Sequence, residues 1–276
     1  MAVAASVPST RLPVLCLAAG LWAFSFGACA ELASVWLKRA GYDYTVVGLN
    51  TSVYYLGIAL AAGLVPWMIR HWGRWGLAAG MIASGLSAML FPWGGGLAGW
   101  FVLRALNGVG GAMSLIPLET LVNHTSPPER RSRNFGFYAV AVAVGMALGT
   151  WLGMELDASS PRLAFLVGGG VTLVGTVVLV WLPEYRGLAE PRHGRTPLGF
   201  VRNFFSFGSA WSQGFLEGGM VSQLPIYLLA LGFAENAVGQ LLGGLMVGVI
   251  AAQLPVAWLA DQLGRTQVLF GCYGMV

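Results

Sequence analysis

The chain has 276 residues, 57% apolar, only 9% charged and 40 of them glycine, with a mean hydropathy of +0.71. A soluble domain averages about 25% charged residues and about 7% glycine, so this chain has too little polar surface to stay dispersed in water. Disorder is excluded too, because its signature is low hydrophobicity with high net charge. A polytopic membrane protein remains, and the net charge of +4, with no basic block among polar aromatics, argues against a nucleic-acid partner.

Apolar stretches of spanning length are predicted at about 12–36, 46–69, 75–93, 97–122, 134–156, 162–182, 204–231 and 236–259. They are apolar on every side and show no period of two, so helices are expected rather than a barrel. A ninth run opens near 266 and reaches Val276, so the chain reads as C-terminally incomplete. The first run is 19 residues long from Leu12 to the residue before Glu31, beyond a signal core of about 7–15 residues. It is expected to be retained as a transmembrane helix. The cysteines Cys16, Cys29 and Cys272 sit in apolar runs with no metal or redox spacing, and no cofactor is expected.

Lysine and arginine sort by side. With the N-terminus placed in the cytoplasm, eleven of fifteen fall in the tail and the even connections and three (Lys38, Arg39, Arg162) in the odd ones, with Arg104 inside a span. By the positive-inside rule the N-terminus is cytoplasmic, which suits a multi-pass protein of the inner membrane. The polar stretch from Pro183 to Asn203 holds charges and two further prolines and reads as a cytoplasmic linker. The expected division is therefore 1–182, an N-terminal transmembrane bundle; 183–203, a linker; and 204–276, a partial second bundle.

Shifting the sequence by 191 residues aligns 41–80 with 232–271 without a gap, and ten of forty positions agree, among them Gly41/Gly232, Val47/Val238, Gly73/Gly264 and Arg74/Arg265. The second bundle is thus expected to repeat the first in the same orientation, one of the architectures that transporters use.

The segment Ala257-Trp-Leu-Ala-Asp261-Gln-Leu-Gly264-Arg265 resembles the loop signature between helices 8 and 9 of the major facilitator superfamily. Its sister Trp67-Met-Ile-Arg70-His-Trp-Gly73-Arg74 keeps Gly-Arg but has Arg70 where that family usually has Asp. Arg104-Ala-Leu-Asn-Gly108-Val-Gly110 is similar to the helix-4 motif of the family. Gly145, Gly149 and Gly153 resemble its helix-5 glycine pattern, with Thr150 where many antiporters have Pro. The chain is most similar to the bacterial YcaD-like branch, in part through Glu119. The resemblance covers the whole chain. It implies an all-α fold of two pseudo-symmetric bundles (the first complete with six helices, the second present as about three), a monomer when full length, and a gating role for Gly73, Arg74, Asp261, Gly264 and Arg265.

Charged groups within the expected spans are Glu31, Arg104, Glu119 and Glu217. Each costs about 2.5–3.5 kcal/mol at mid-bilayer on insertion scales, so each needs a reason. Glu31 lies roughly 10 Å and Arg104 roughly 8 Å from the same membrane face, so they can form an ion pair if their helices are neighbours. Glu217 falls mid-span with no cation of its own and is expected to carry protons or face a polar cavity. Glu119 lies roughly 22 Å from Arg104 along the helix, near the cytoplasmic end. The glycine stripe is read as helix packing or as a sliding contact between bundles. Trp22, Trp211, Phe215 and Tyr227 are read as core, lipid-facing or cavity aromatics.

The leading expectation is a proton-coupled secondary transporter of a small solute, with efflux slightly favoured. No phosphate-binding loop suggests a built-in ATPase. A membrane-embedded enzyme is disfavoured because the expected spans hold no histidine, aspartate or paired carboxylates. A sensor or assembly protein on a transporter scaffold is the alternative.

Overall fold

Seven helices among the described residues are long and apolar enough to cross a membrane. The computed structural model describes residues 11–127, 130–182, 185 and 204–274. In chain order the helices are α1 (Arg11–Arg39), α2 (Tyr44–Ala62), α3 (Val65–Trp72), α4 (Arg74–Leu90), α5 (Leu97–Thr125), α6 (Arg131–Ser159), α7 (Pro161–Val178), α8 (Phe204–Ala230), α9 (Glu235–Leu263) and α10 (Arg265–Gly274). Single 3-10 turns at Phe91–Trp93 and Leu179–Trp181 prolong α4 and α7. The expected linker, Tyr185 apart, lies outside the described residues.

Three boundaries differ from expectation for identifiable reasons. The run 46–69 divides into α2 and α3 at Gly63 and Leu64, because Pro66 lacks an N–H and its ring crowds the carbonyl four residues earlier. The run 204–231 does form α8, but α8 is not one of the seven sufficiently apolar helices. Gln213, Glu217, Ser222 and Gln223 make it more polar than the others. Finally, α6 continues to Ser159 and stops two residues before Pro161. Glu155 and Asp157 are therefore within the helix, and the expectation of no aspartate in the spans is corrected.

The helices alternate in direction, so the connections gather at two ends. One is the Arg39 end, with the α1–α2, α6–α7 and α8–α9 turns. The other is the Arg74 end, with the α3–α4 and α9–α10 turns. The turn before α2 is built twice. Gly41 (φ 90°) and Gly232 (φ 91°) adopt the left-handed backbone that only glycine takes without strain. The amide of Gly41 donates to the Lys38 carbonyl and that of Tyr42 to Leu37; 191 residues on, Gly232 donates to Leu229 and Phe233 to Leu228. Each is a Schellman cap, which satisfies the last carbonyls of one helix before the next begins. The repeat seen in the sequence is therefore a repeat of backbone geometry, with α2 and α9 running the same way.

α1 is the central rod, packed mainly on α6 and α7, while α5 lies between α2 and α4, and α4 also packs on α7. Without a hydrophobic force between helices in lipid, close backbone approach must supply the contact energy. The glycine stripe does this. A Cβ on Gly145 would meet the Gly20 carbonyl of α1, one on Gly149 the Phe24 carbonyl, and one on Gly153 the Ala28 backbone at 2.8 Å. The stripe thus fastens α6 to α1. A different face of α6, around Ala147, Trp151 and Met154, meets Gly239 and Gly243 of α9.

Candidate functional site

α8 and α9 meet the other helices chiefly along α1, α2 and α6, and the described contacts between these two sets lie toward the Arg39 end. Leu37, Val47 and Ile226 form one buried cluster there. Ala28, Leu32 and Met154 join Val238 and Leu242 in another. Gly48 lies against Gln223.

At the rim of this seam Arg39 of α1 holds two carboxylates. Its Nη2 lies 2.7 Å from Asp157 Oδ2 of α6, and the same nitrogen donates to Glu235 Oε1 at the start of α9. Asp157 is 1% exposed at its side chain, whereas Arg39 and Glu235 are 36% and 30% exposed. A buried carboxylate without a cation would be costly, so Arg39 has reason to stay with Asp157, and Glu235 is the partner free to leave. Sequence reasoning counted Arg39 only as a loop charge and missed the other two. The available signal was that all three flank predicted span ends on one side.

The interior charges do not pair as expected. Arg104, 3% exposed, donates from Nη2 to the Ala30 carbonyl at 3.1 Å, and its guanidinium lies 5.1 Å from the centre of the Tyr54 ring. Glu31, 7% exposed, lies beside Thr150 of α6, whose hydroxyl donates to the Gly27 carbonyl at 3.4 Å. Arg104 Nε and Glu31 Oε2 have no hydrogen-bond partner among the described residues. The expected Glu31–Arg104 ion pair is corrected accordingly. The depths agree, since Arg104 reaches the residue next to Glu31, but one residue turns a helix by about 100° and sends Glu31 toward α6. A double-mutant cycle with Glu31→Gln and Arg104→Gln is expected to show coupling below about 0.5 kcal/mol. Coupling above about 1 kcal/mol in thermal stability would contradict this geometry.

Three residues beyond Arg104 on the same face, Asn107 donates to the Ser84 carbonyl at 2.9 Å and the Ser87 hydroxyl at 3.2 Å. Asn107 and Ser87, with Cys29, Ala33 and Phe165, line a small cavity beside Arg104. Asn107 was not singled out, although its spacing from Arg104 was the signal.

Glu217 is half-buried at the middle of α8, and its Oε1 accepts from the Tyr55 hydroxyl of α2 at 3.2 Å. This is a polar contact across the seam, and it begins a chain of aromatic contacts. Tyr55 meets Tyr54 edge-on at 5.1 Å, Tyr54 meets Phe26 at 5.4 Å, and Phe26 stacks on Trp22 at 5.8 Å. Trp211, Phe215 and Tyr227, in contrast, are exposed on α8. Glu119 is half-buried; its backbone carbonyl accepts from Asn123, and its carboxylate acts electrostatically on the buried Tyr138 of α6.

At the Arg74 end, Gly73 (φ 50°) turns the chain between α3 and α4. Arg74 Nη1 donates to the Leu182 carbonyl at 3.5 Å, and the Tyr185 hydroxyl donates to the Gly73 carbonyl at 3.1 Å. This half of the resembled motif therefore ties the α3–α4 turn to the chain following α7. Arg70 is exposed. Gly264 (φ 93°) repeats the turn 191 residues on, and Val268 donates to its carbonyl as Leu77 does to that of Gly73. The side chains of Asp261 and Arg265 lie outside the described ones.

Comparison with known proteins agrees with this architecture. The family model for the Major Facilitator Superfamily matches residues 14–276. The chain is 27% identical over 267 residues to the MFS-type transporter YfkF of Bacillus subtilis, covering 93% of this chain and 67% of that protein. It is 25% identical over 269 residues to the MFS-type transporter YcaD of Escherichia coli, covering 93% and 69%. Among solved structures it superposes on a D-xylose-proton symporter (TM-score 0.68, 13% identity, 91% of this chain and 69% of that one). It also superposes on the nucleoside transporter NupG (TM-score 0.66, 12% identity, 92% and 69%). A bacterial homologue of the lysosomal transporter Spinster in an inward-facing conformation has a TM-score of 0.64 at 19% identity, over 92% and 60%. The chain spans about two thirds of the YfkF and YcaD sequences, repeats its own helix-cap geometry, and belongs to the major facilitator superfamily.

Proposed function

We propose that the intact protein is a secondary transporter that moves a small solute by alternating access between two like-oriented bundles, 1–182 and 204–276, joined by the linker 183–203. Membership of a transporter family favours this over an enzyme. The observation that carries the reading is the position of the seam. Contacts between α8–α9 and the first seven helices gather at the Arg39 end and finish with the shared arginine. We read this as one closed gate and take the Gly73 and Gly264 turns as the second, a reading that the repeat of turns supports. The distribution of lysine and arginine supports a cytoplasmic N-terminus in an inner membrane, which puts the Arg39 end outside. Glu217, at the seam and mid-span, suits proton coupling. We take efflux as the slightly favoured direction and a monomer as the working form of the intact chain.

Proteoliposomes of the intact protein should take up or release at least one solute when a pH gradient is imposed, and a protonophore should stop the flux. No flux across a broad solute screen, in a protein that folds normally, would favour the sensor alternative. The latch has its own test. Glu235→Gln releases the start of α9 while Arg39 stays with the buried Asp157, and a partly exposed pair of this kind is worth about 0.2–1 kcal/mol. A cysteine at Val238, buried in the seam, should then react with an impermeant maleimide about two- to fivefold faster. An unchanged rate would remove the Arg39–Glu235 pair from the gate.

A further inference from the structure

Of the charged side chains described in the middle of the spans, few can meet a solute. Arg104 is sealed between the Ala30 carbonyl and the Tyr54 ring. Glu31 is buried against α6. Glu217 differs from both. It is half-buried and stands where the seam stops: Gly48 meets Gln223, Gly218 meets Tyr55, and Glu217 meets the Tyr55 hydroxyl. Toward the Arg74 end the next residues of α8, 213 to 216, are exposed. The carboxylate therefore sits where α8 leaves the packed seam and becomes exposed, on the side away from the Arg39 latch.

The surroundings of Glu217 select a chemistry. One hydrogen bond from Tyr55 leaves most acceptor positions of the carboxylate free. Among the described residues no lysine or arginine lies within ion-pair distance of it; the described ion pairs are those of Arg39. Tyr55 is half-buried beside it and packs edge-on against the buried Tyr54, whose ring meets Phe26. An aromatic face attracts a cation through its quadrupole, worth about 0.5–2 kcal/mol per ring, and also accepts apolar area. An anionic solute would meet a carboxylate with no accessible positive charge. A neutral solute would leave the carboxylate without a charge partner.

We propose that the solute is a monovalent organic cation with an apolar body. Its charged centre rests against Glu217, and its apolar part lies on the Tyr55 ring. This rests on the transporter reading and names the substrate class at the same site.

The test is equilibrium binding to the intact protein in detergent, with tetraphenylphosphonium as the cation, triphenylphosphine oxide as a neutral analogue and tetraphenylborate as an anion of the same shape. The cation should bind saturably and lose at least about tenfold in affinity in Glu217→Gln, with Glu217→Asp retaining most of it. Tyr55→Leu should weaken binding about three- to tenfold through the lost ring, whereas Tyr55→Phe should cost less. Each variant must elute as the parent does on size exclusion; if Glu217→Gln does not, Glu217→Asp and the two Tyr55 variants decide. Cation binding unchanged by these substitutions, or equal binding of the neutral or anionic probe, overturns the proposal. Failure here together with pH-driven flux of another solute removes the cation class and keeps the transporter. Specific cation binding without any flux does the reverse.

Discussion

Replacing Glu217 by glutamine in the intact protein is expected to lower the initial rate of pH-gradient-driven flux by at least about tenfold while leaving the yield of folded protein near that of the parent. The argument begins with cost. A carboxylate in mid-span is retained against about 2.5–3.5 kcal/mol of insertion penalty, and the structure gives Glu217 no buried structural pairing that would account for it. Its described partner is a single tyrosine hydroxyl across the seam. Glutamine keeps the size and can still accept from Tyr55, so the helices should pack as before. What it removes is the ability to hold and release a proton, without which no gradient can drive the cycle through this site. Unchanged flux with unchanged pH dependence would take Glu217 out of the mechanism.

The second large effect concerns the fold. Gly149→Val is expected to lower the midpoint of thermal unfolding in detergent by about 4–8 °C and to reduce yield, because overpacking a tight contact costs about 1–3 kcal/mol and more where the backbone cannot yield. The added carbons would fall on the Phe24 carbonyl of α1, a backbone atom inside the central helix. Gly170 of α7 provides the contrast, since nothing lies within 4 Å of a Cβ placed there. Gly170→Ala should be close to neutral. Equal effects at the two glycines would mean that the stripe does not set the distance between α1 and α6.

Composition and run length sufficed to foresee helices crossing a membrane, because apolar length is a one-dimensional quantity and lipid imposes it directly. The repeat was legible for a similar reason: Gly41 and Gly232 each meet a local backbone demand at a helix end, which a sequence records position by position. Azimuth was harder. Glu31 and Arg104 were placed at matching depth, yet the side-chain direction depends on how α1 is rotated against α5 and α6, and a single step around the helix replaced an ion pair by a backbone carbonyl. The Arg39, Asp157 and Glu235 cluster was missed because it joins three segments whose proximity is a property of packing alone. Thr150 shows the converse. In the sequence it stood out only as a departure from a family pattern, and in the structure it is the neighbour of the buried Glu31.

The central claim is that the two sets of helices close at one end while opening at the other. Distances between spin labels in the intact protein, with Cys16, Cys29 and Cys272 replaced by alanine, test it most directly. One pair, at Tyr44 and Phe233, reports on the Arg39 end; another, at Trp72 and Leu263, reports on the Arg74 end; all four side chains are exposed. On introducing Glu235→Gln, the population with a long distance at the first pair should grow as the population with a short distance at the second grows by the same fraction. If both distances lengthen together, or the first pair opens while the second stays fixed, the helices do not alternate and the account is wrong.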